Sequence, residues 1–267
     1  MRQNNYFSGK VVWITGGSSG IGEALAYQLA AAGAKIIISA RREPELQRIG
    51  NHLPPHTEYF ILPIDLNQPD ILAEKVQTAV DKWGHIDIII NNAGVSQRSL
   101  GEVTTMQVER TIMETNYFAP ILLTKLLLKH FRQQQSGHLV FMSSVSGKIG
   151  LPYRSAYSAS KHAVEGFFGA LRAELWGSGI KLIIVRAGAV RTSIAENALI
   201  ADGSPFQQKD PLIAKGMFAE KTAGLILRGI QNQKSHLEIG SPREKLLFLL
   251  IRFIPSIAFK AIRGLKM

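Results

Sequence analysis

Apolar residues in this chain gather in short, dense runs separated by stretches where they recur every three or four positions. The runs are "KVVWITG" (10–16), "AKIIISA" (34–40), "TEYFILPID" (57–65), "HIDIIINNAG" (85–94), "GHLVFMSS" (137–144), "IKLIIVRAG" (180–188) and "SHLEIG" (235–240). They are rich in Ile and Val and do not alternate strictly with polar residues, as expected of strands covered on both faces. Between them the 3.6-residue period predicts helices over roughly 20–32, 43–50, 68–83, 104–133, 155–178 and 216–232. Strands alternating with helices and joined by right-handed crossovers give an α/β, doubly wound parallel sheet of Rossmann-like form. No repeat, linker or low-complexity tract interrupts it, so residues 1–241 read as one domain.

Two segments fall outside the alternation. Residues 189–215 form a connection too long for a passive turn and are expected to act as a substrate lid, with Ile194, Leu199, Ile200 and Phe206 giving it an apolar lining. Val145, Ile149 and Leu151 are expected to add to that lining, which points to a lipophilic substrate. Residues 242–267 form an apolar extension in which Lys245, Arg252, Ser256, Lys260 and Arg263 recur as one helical stripe. Pro255 should kink or split that helix. A wide apolar face beside basic residues suits the interface of an anionic membrane, or else packs on the protein's own domain or a second subunit.

Composition narrows the function classes. The chain of 267 residues carries 31 basic and 20 acidic residues, a formal charge of +11. Much of the excess lies in the extension, where six basic residues face only Glu244, and no nucleic-acid-binding motif accompanies it. No nucleic-acid partner is expected. Seven histidines without metal-ligand spacing and the lack of any cysteine make metal or thiolate chemistry unexpected. The opening "MRQNNYFSGK" has no apolar signal region, and no apolar run reaches the ~20 residues of a membrane span. A cytoplasmic protein, peripheral to a membrane at most, is expected.

Candidate chemistry sits in two places. "TGGSSGIG" (15–22) follows the first strand and opens a helix. Gly16 and Gly20 permit a tight turn, Gly22 allows close helix–sheet approach, and the exposed N–H groups suit an anion. In "YSASK" (157–161), Tyr157 and Lys161 share one helix face. An ammonium ~4–5 Å from a phenol, at an effective dielectric of ~20, favours phenolate by roughly 3–4 kcal/mol. That equals roughly two to three pKa units before desolvation is subtracted, so the pair could be a tuned general acid/base or an ordinary helix face.

"TGGSSGIG", "NNAG" (91–94), Asn116, Ser144 and "YSASK" resemble, in order and spacing, the short-chain dehydrogenase/reductase family over roughly residues 8–240. Residues 146–175 look like its membrane-associated, NADP-linked branch related to hydroxysteroid dehydrogenases. The resemblance implies that Tyr157 is the general acid/base and that Lys161 binds the nicotinamide ribose and lowers the tyrosine pKa. It implies that Ser144 hydrogen-bonds the substrate oxygen and that Asn116 holds a water leading from Lys161 to solvent. Gly16, Ser18, Ser19, Gly20, Ile21 and Gly22 would carry the dinucleotide, Asp65 and Leu66 its adenine, and Asn92, Ala93 and Gly94 the ribose path. Gly188, Val190 and Thr192 would hold the carboxamide, although Ala187 stands where the family commonly has proline. Ala40 takes the place of the acid that selects NAD, and Arg41 and Arg42 follow it, so NADP(H) is the expected cofactor. The implied activity is interconversion of a carbonyl and a secondary alcohol by a homo-oligomeric enzyme, dimer or tetramer. A catalytically silent nucleotide-sensing scaffold and an acyl-carrier-protein ketoreductase are the alternatives.

Overall fold

The computed structural model describes residues 6–264. Its seven strands are β1 (Val11–Thr15), β2 (Lys35–Ser39), β3 (Tyr59–Ile61), β4 (Ile88–Asn91), β5 (Gly137–Ser144), β6 (Ile180–Ala187) and β7 (His236–Ile239), one for each apolar run. They form a single sheet in the order β3-β2-β1-β4-β5-β6-β7, with every pairing parallel. The order reverses between β1 and β4, which opens a crevice at their carboxyl ends.

Strand alternation feeds two cores. Val12 and Ile14 of β1, Ile36 and Ile38 of β2, and Ile88 and Ile90 of β4 face α1 (Gly20–Ala31), α2 (Glu43–Asn51) and α8 (Ala219–Gln231). Val11, Trp13, Ile37 and Ile89 face the other way, toward α3 (Leu72–Asp81), α5 (Ala119–Gln134) and α6 (Ser155–Glu174). The central strands are therefore apolar at every position because both neighbours of each residue are buried. A buried Leu or Ile contributes about 1.5–3 kcal/mol, so both layers are firmly held to the sheet.

The helices differ from the periodicity in two places. The long helix expected over 104–133 is α4 (Met106–Met113) and α5 joined by a π-helical turn, Glu114–Phe118. That turn carries one residue more than an α-helical turn and places Asn116, 2% exposed, in the interior. Segment 189–215, expected to be a lid, contains one short helix, α7 (Pro211–Ala214), and is stitched to the domain by bridges from Leu199 to Gln97 and from Val190 to Met217.

The extension is two helices, α9 (Pro242–Phe253) and α10 (Pro255–Ile262), because Pro255 cannot continue the first. The single basic stripe is thereby broken at Ile254 and divided between the helices; Lys266 lies outside the described residues. Phe248, Ala258 and Ile262 are buried against Val145 and Ile149, so the inner face packs on its own domain. Among the described residues no helix is long and apolar enough to cross a membrane.

Candidate active site

The glycine run leaves β1 at Thr15 and turns into α1. Gly16 (φ 66°) and Gly20 (φ 58°) are left-handed, a conformation that side chains rarely adopt. A Cβ at Gly16 would lie 2.7 Å from Ala93 Cα, and one at Gly22 only 2.2 Å from the Gly16 carbonyl oxygen. Backbone thus occupies the space that side chains would fill. Ser19 caps α1 without a side-chain hydrogen bond, so the helix opens on bare N–H groups and the hydroxyls of Ser18 and Ser19. Such a terminus carries partial positive charge suited to a phosphate. Asn92 braces the turn: its Nδ2 donates to the carbonyls of Thr15 (3.1 Å) and Gly16 (3.0 Å).

At the end of β5 the Ser144 hydroxyl accepts from the N–H of Ser146 (3.2 Å) and opens the 3-10 turn Val145–Gly147. Ser144 also acts on Tyr157, which α6 carries in its first turn, favouring the ionised phenol. Lys161, one turn on, is buried and donates from Nζ to the Met142 carbonyl (2.8 Å). Asn116 accepts from Val95 N–H (2.8 Å) and donates to the Val95 carbonyl (2.9 Å) and Ser160 Oγ (3.0 Å). A Cβ on Gly94 would sit 3.3 Å from Asn116 Oδ1 and 3.6 Å from Lys161 Nζ, so that glycine keeps open the space between the two. The hydroxyl of Ser143, beside Ser144 in β5, is buried and has no hydrogen-bond partner among the described residues.

Burial pushes the Tyr157 phenol above its ordinary value, countered by Ser144 and by the charge of Arg154, one turn before it. Lys161, the cation expected to tune the phenol, has its own ammonium lowered to about 8 by burial, lies 5.6 Å from the Tyr157 ring centre and donates to the Met142 carbonyl.

These groups line one cavity of about 730 Å³ that runs from the glycine turn to α9. It brings together Gly16, Ser18, Ser19, Gly20, Ile21, Arg41, Arg42, Asp65, Leu66, Asn92, Ala93, Gly94, Ser144, Tyr157, Lys161, Gly188, Val190 and Thr192. Gly22 and Asn116 act from behind it, one by close packing and the other by holding Val95. Ile194 and Leu199 of the lid and Val145 and Leu151 line it as expected. Ile200 and Phe206 do not, and Ile149 packs under the extension instead.

Sequence reasoning missed Arg98, Arg154, Leu212, Arg243, Glu244 and Leu247, which also face the cavity. Only Glu244 carried a readable signal, the capping box "SPRE": Ser241 N–H donates to its Oε2 (2.7 Å), and its own N–H donates to Ser241 Oγ (3.4 Å). Its other oxygen accepts from the N–H of Ala189. That bond restrains the loop where the family's proline is missing. Ala187 itself simply ends β6, paired with Ser144 on one side and Ile239 on the other.

A phosphate-binding glycine turn at the sheet's switch point, opening into a cavity with a Ser–Tyr–Lys set, defines a nicotinamide-dinucleotide oxidoreductase. The chain belongs to the short-chain dehydrogenases: the family model described as "short chain dehydrogenase" matches residues 10–201. It is 38% identical over 260 residues to "Dehydrogenase/reductase SDR family protein 7-like" of Drosophila melanogaster, covering 96% of this chain and 80% of that protein. It is 35% identical over 263 residues to "Dehydrogenase/reductase SDR family member 7B" of Mus musculus, covering 97% and 78%. A short-chain dehydrogenase from Streptomyces avermitilis superposes with a TM-score of 0.81 at 28% identity, covering 98% of this chain and all of that one. The fold is shared with solved complexes of both cofactors: a Burkholderia phymatum enzyme with NAD (TM-score 0.83, 20% identity, 98% of each chain) and a metagenomic oxidoreductase with NADP (TM-score 0.72, 24% identity, 87% of this chain and 96% of that one).

Proposed function

We propose that this protein is an NADP(H)-dependent reductase, or in reverse dehydrogenase, that interconverts a carbonyl and a secondary alcohol on a lipophilic substrate. The observation that carries the reading is the convergence of Ser144 and Tyr157 beside Lys161 in a cavity continuous with the glycine turn. The nicotinamide, when bound, supplies or accepts the hydride. Ser144 orients the substrate oxygen, and Tyr157 donates its proton to the developing alkoxide. Lys161 holds the ribose, and Asn116 keeps the Val95 backbone and α6 in register around it.

Arg41 and Arg42 favour a 2′-phosphate: both are exposed at the cavity rim just after β2, where no carboxylate stands to accept a ribose hydroxyl. The lipophilic substrate is supported by Val145, Leu151, Ile194, Leu199 and Leu247 on the cavity wall. The decisive assay follows cofactor oxidation by purified protein against a panel of ketones. Tyr157→Phe should retain NADPH affinity within a few-fold yet lose turnover, and an unchanged kcat would sink the acid/base assignment.

The extension is proposed to rest on an anionic membrane. Opposite its packed face, Leu246, Leu249, Phe253, Ile257 and Phe259 are exposed, Phe253 by 70%, with Arg243, Lys245, Arg252, Lys260 and Arg263 exposed around them. Glu244, the one acid, is turned inward. Each basic residue near an anionic surface adds about 1 kcal/mol. Because α9 also walls the cavity, a lipid-derived substrate would have a short path from bilayer to Tyr157. Flotation with anionic vesicles should be lost in Leu249→Glu/Phe253→Glu while dinucleotide affinity is kept. A wild-type protein that does not float would end this reading.

A further inference from the structure

One carboxylate ties the lid to the active site. Asp210 caps α7, with Oδ1 accepting from the N–H groups of Leu212 (2.8 Å) and Ile213 (3.4 Å). Its Oδ2 meets Nη2 of Arg98, from the segment after β4, and Nη2 of Arg154 (3.0 Å), the residue that precedes α6. The side chains of Asp210, Arg98 and Arg154 are only 7%, 9% and 14% exposed. Two buried guanidiniums therefore share one carboxylate, and Nε of Arg154 has no hydrogen-bond partner among the described residues. Burial and the neighbouring Arg154 lower Arg98 to about 10, which marks a cluster short of negative charge.

Buried ion clusters of this kind are poor stabilisers, since desolvating the charges offsets most of their attraction. A contact that merely fastened the lid would be better made of apolar groups. What sets this one apart is its place: Arg154 stands one helical turn before Tyr157 on the same cavity wall. The other charged groups that line the cavity are Arg41 and Arg42 after β2, Asp65 after β3, Arg98 after β4, Lys161 on α6, and Arg243 and Glu244 on α9. Lys161 is held by Met142 and Glu244 by Ala189 and Ser241, so the lid leaves these two unaltered. Arg98 and Arg154 alone bond to the lid's carboxylate.

We propose that Asp210 couples the seating of the lid to the acidity of Tyr157, with Arg154 as the intermediary. With the lid seated, the Asp210 carboxylate offsets the field of Arg154 and the phenol keeps its proton for the enclosed carbonyl. With the lid lifted, Arg154 stands uncompensated one turn away and favours the phenolate. Arg154 is thus a positioning residue for charge, and the proposal rests on Tyr157 being the acid/base.

The test needs no substrate. Cofactor-free protein is labelled with 3-fluorotyrosine, a more acidic phenol that titrates where the fold survives, and the Tyr157 fluorine signal is assigned by its loss in Tyr157→Phe. Its NMR midpoint is then followed against pH. Arg154→Gln should raise the midpoint by about half a unit or more, and Asp210→Asn should lower it by a similar amount. In the double variant the Asp210→Asn effect should largely vanish, because the charge it unmasks is gone. Arg154→Lys, which keeps the charge, should titrate below Arg154→Gln even if Asp210→Asn does not fold. The proposal fails if Asp210→Asn leaves the midpoint in place or raises it, if its effect survives intact in the double variant, or if Arg154→Lys and Arg154→Gln titrate alike. A normal result here with no turnover on any ketone would count against the proposed reaction and not against this coupling.

Discussion

The carboxylate of Glu244 accepts a hydrogen bond from the backbone N–H of Ala189, fifty-five positions earlier in the chain. One side chain thus caps α9 and closes the loop that follows β6, where Gly188, Val190 and Thr192 face the cavity. A charge-assisted bond of this kind contributes about 1.5–3 kcal/mol. Glu244→Ala should lower stability by about that much and weaken dinucleotide binding several-fold. Urea unfolding and a fluorescence titration check the two effects, and an unchanged affinity would show that the loop holds itself.

Gly22 tests the phosphate-binding turn. Because a Cβ there would lie 2.2 Å from the Gly16 carbonyl oxygen and 2.6 Å from Asn92 Nδ2, Gly22→Ala must push the turn away from α1. Overpacking of this kind costs about 1–3 kcal/mol, and dinucleotide affinity should fall with it. Gly150→Ala is the control: nothing lies within 4 Å of its Cβ, and its stability should stay within about 0.5 kcal/mol of wild type.

Lys161 makes a pH prediction with a definite sign. Its folded-state value near 8 lies below its ordinary 10.5, so between those two the unfolded chain binds more protons than the folded one. Stability therefore gains from this group as pH rises from 8 toward 10.5, up to about 3 kcal/mol, and the gain is absent below 8. Cofactor-free Lys161→Met should lack that component. Urea midpoints of both proteins at pH 7.5 and 10 measure the difference, and parallel pH trends would contradict the lowered value.

Cofactor choice is tested at the end of β2. Arg41→Asp replaces a phosphate partner with a repelling charge, and the NADPH/NADH affinity ratio should fall at least about tenfold. Because Arg41 is exposed, folding should be unaffected. A ratio that does not move would assign the 2′-phosphate no partner at this position.

Much of this was readable from residue order. The five central strands stood out because their Ile- and Val-rich runs suit a sheet covered on both sides, as the pairs Val12/Trp13 and Ile36/Ile37 illustrate. The glycine turn and the Tyr157–Lys161 spacing were legible because their chemistry is local: one needs backbone without side chains, the other a single turn of helix. Asn116 was found by its resemblance to a motif, but the π-turn that carries it inward was not, since one extra residue in a turn leaves no mark on an apolar pattern.

The sequence by itself determined the fold class, the phosphate-binding turn and the helix face that carries the phenol, all of which depend on neighbours within a few positions. Only the tertiary structure brought a second cation to that phenol's cavity. Arg154 lines it together with Tyr157 and Lys161, and Asp210 of segment 189–215 is ion-paired with Arg154. Likewise the sequence placed the split of the extension at Pro255 but left open what its apolar face meets, and the structure buries the inner face against Val145 and Ile149. Burial, desolvation and ion pairing depend on distances between segments far apart in the chain, and the order of residues along it does not state those distances.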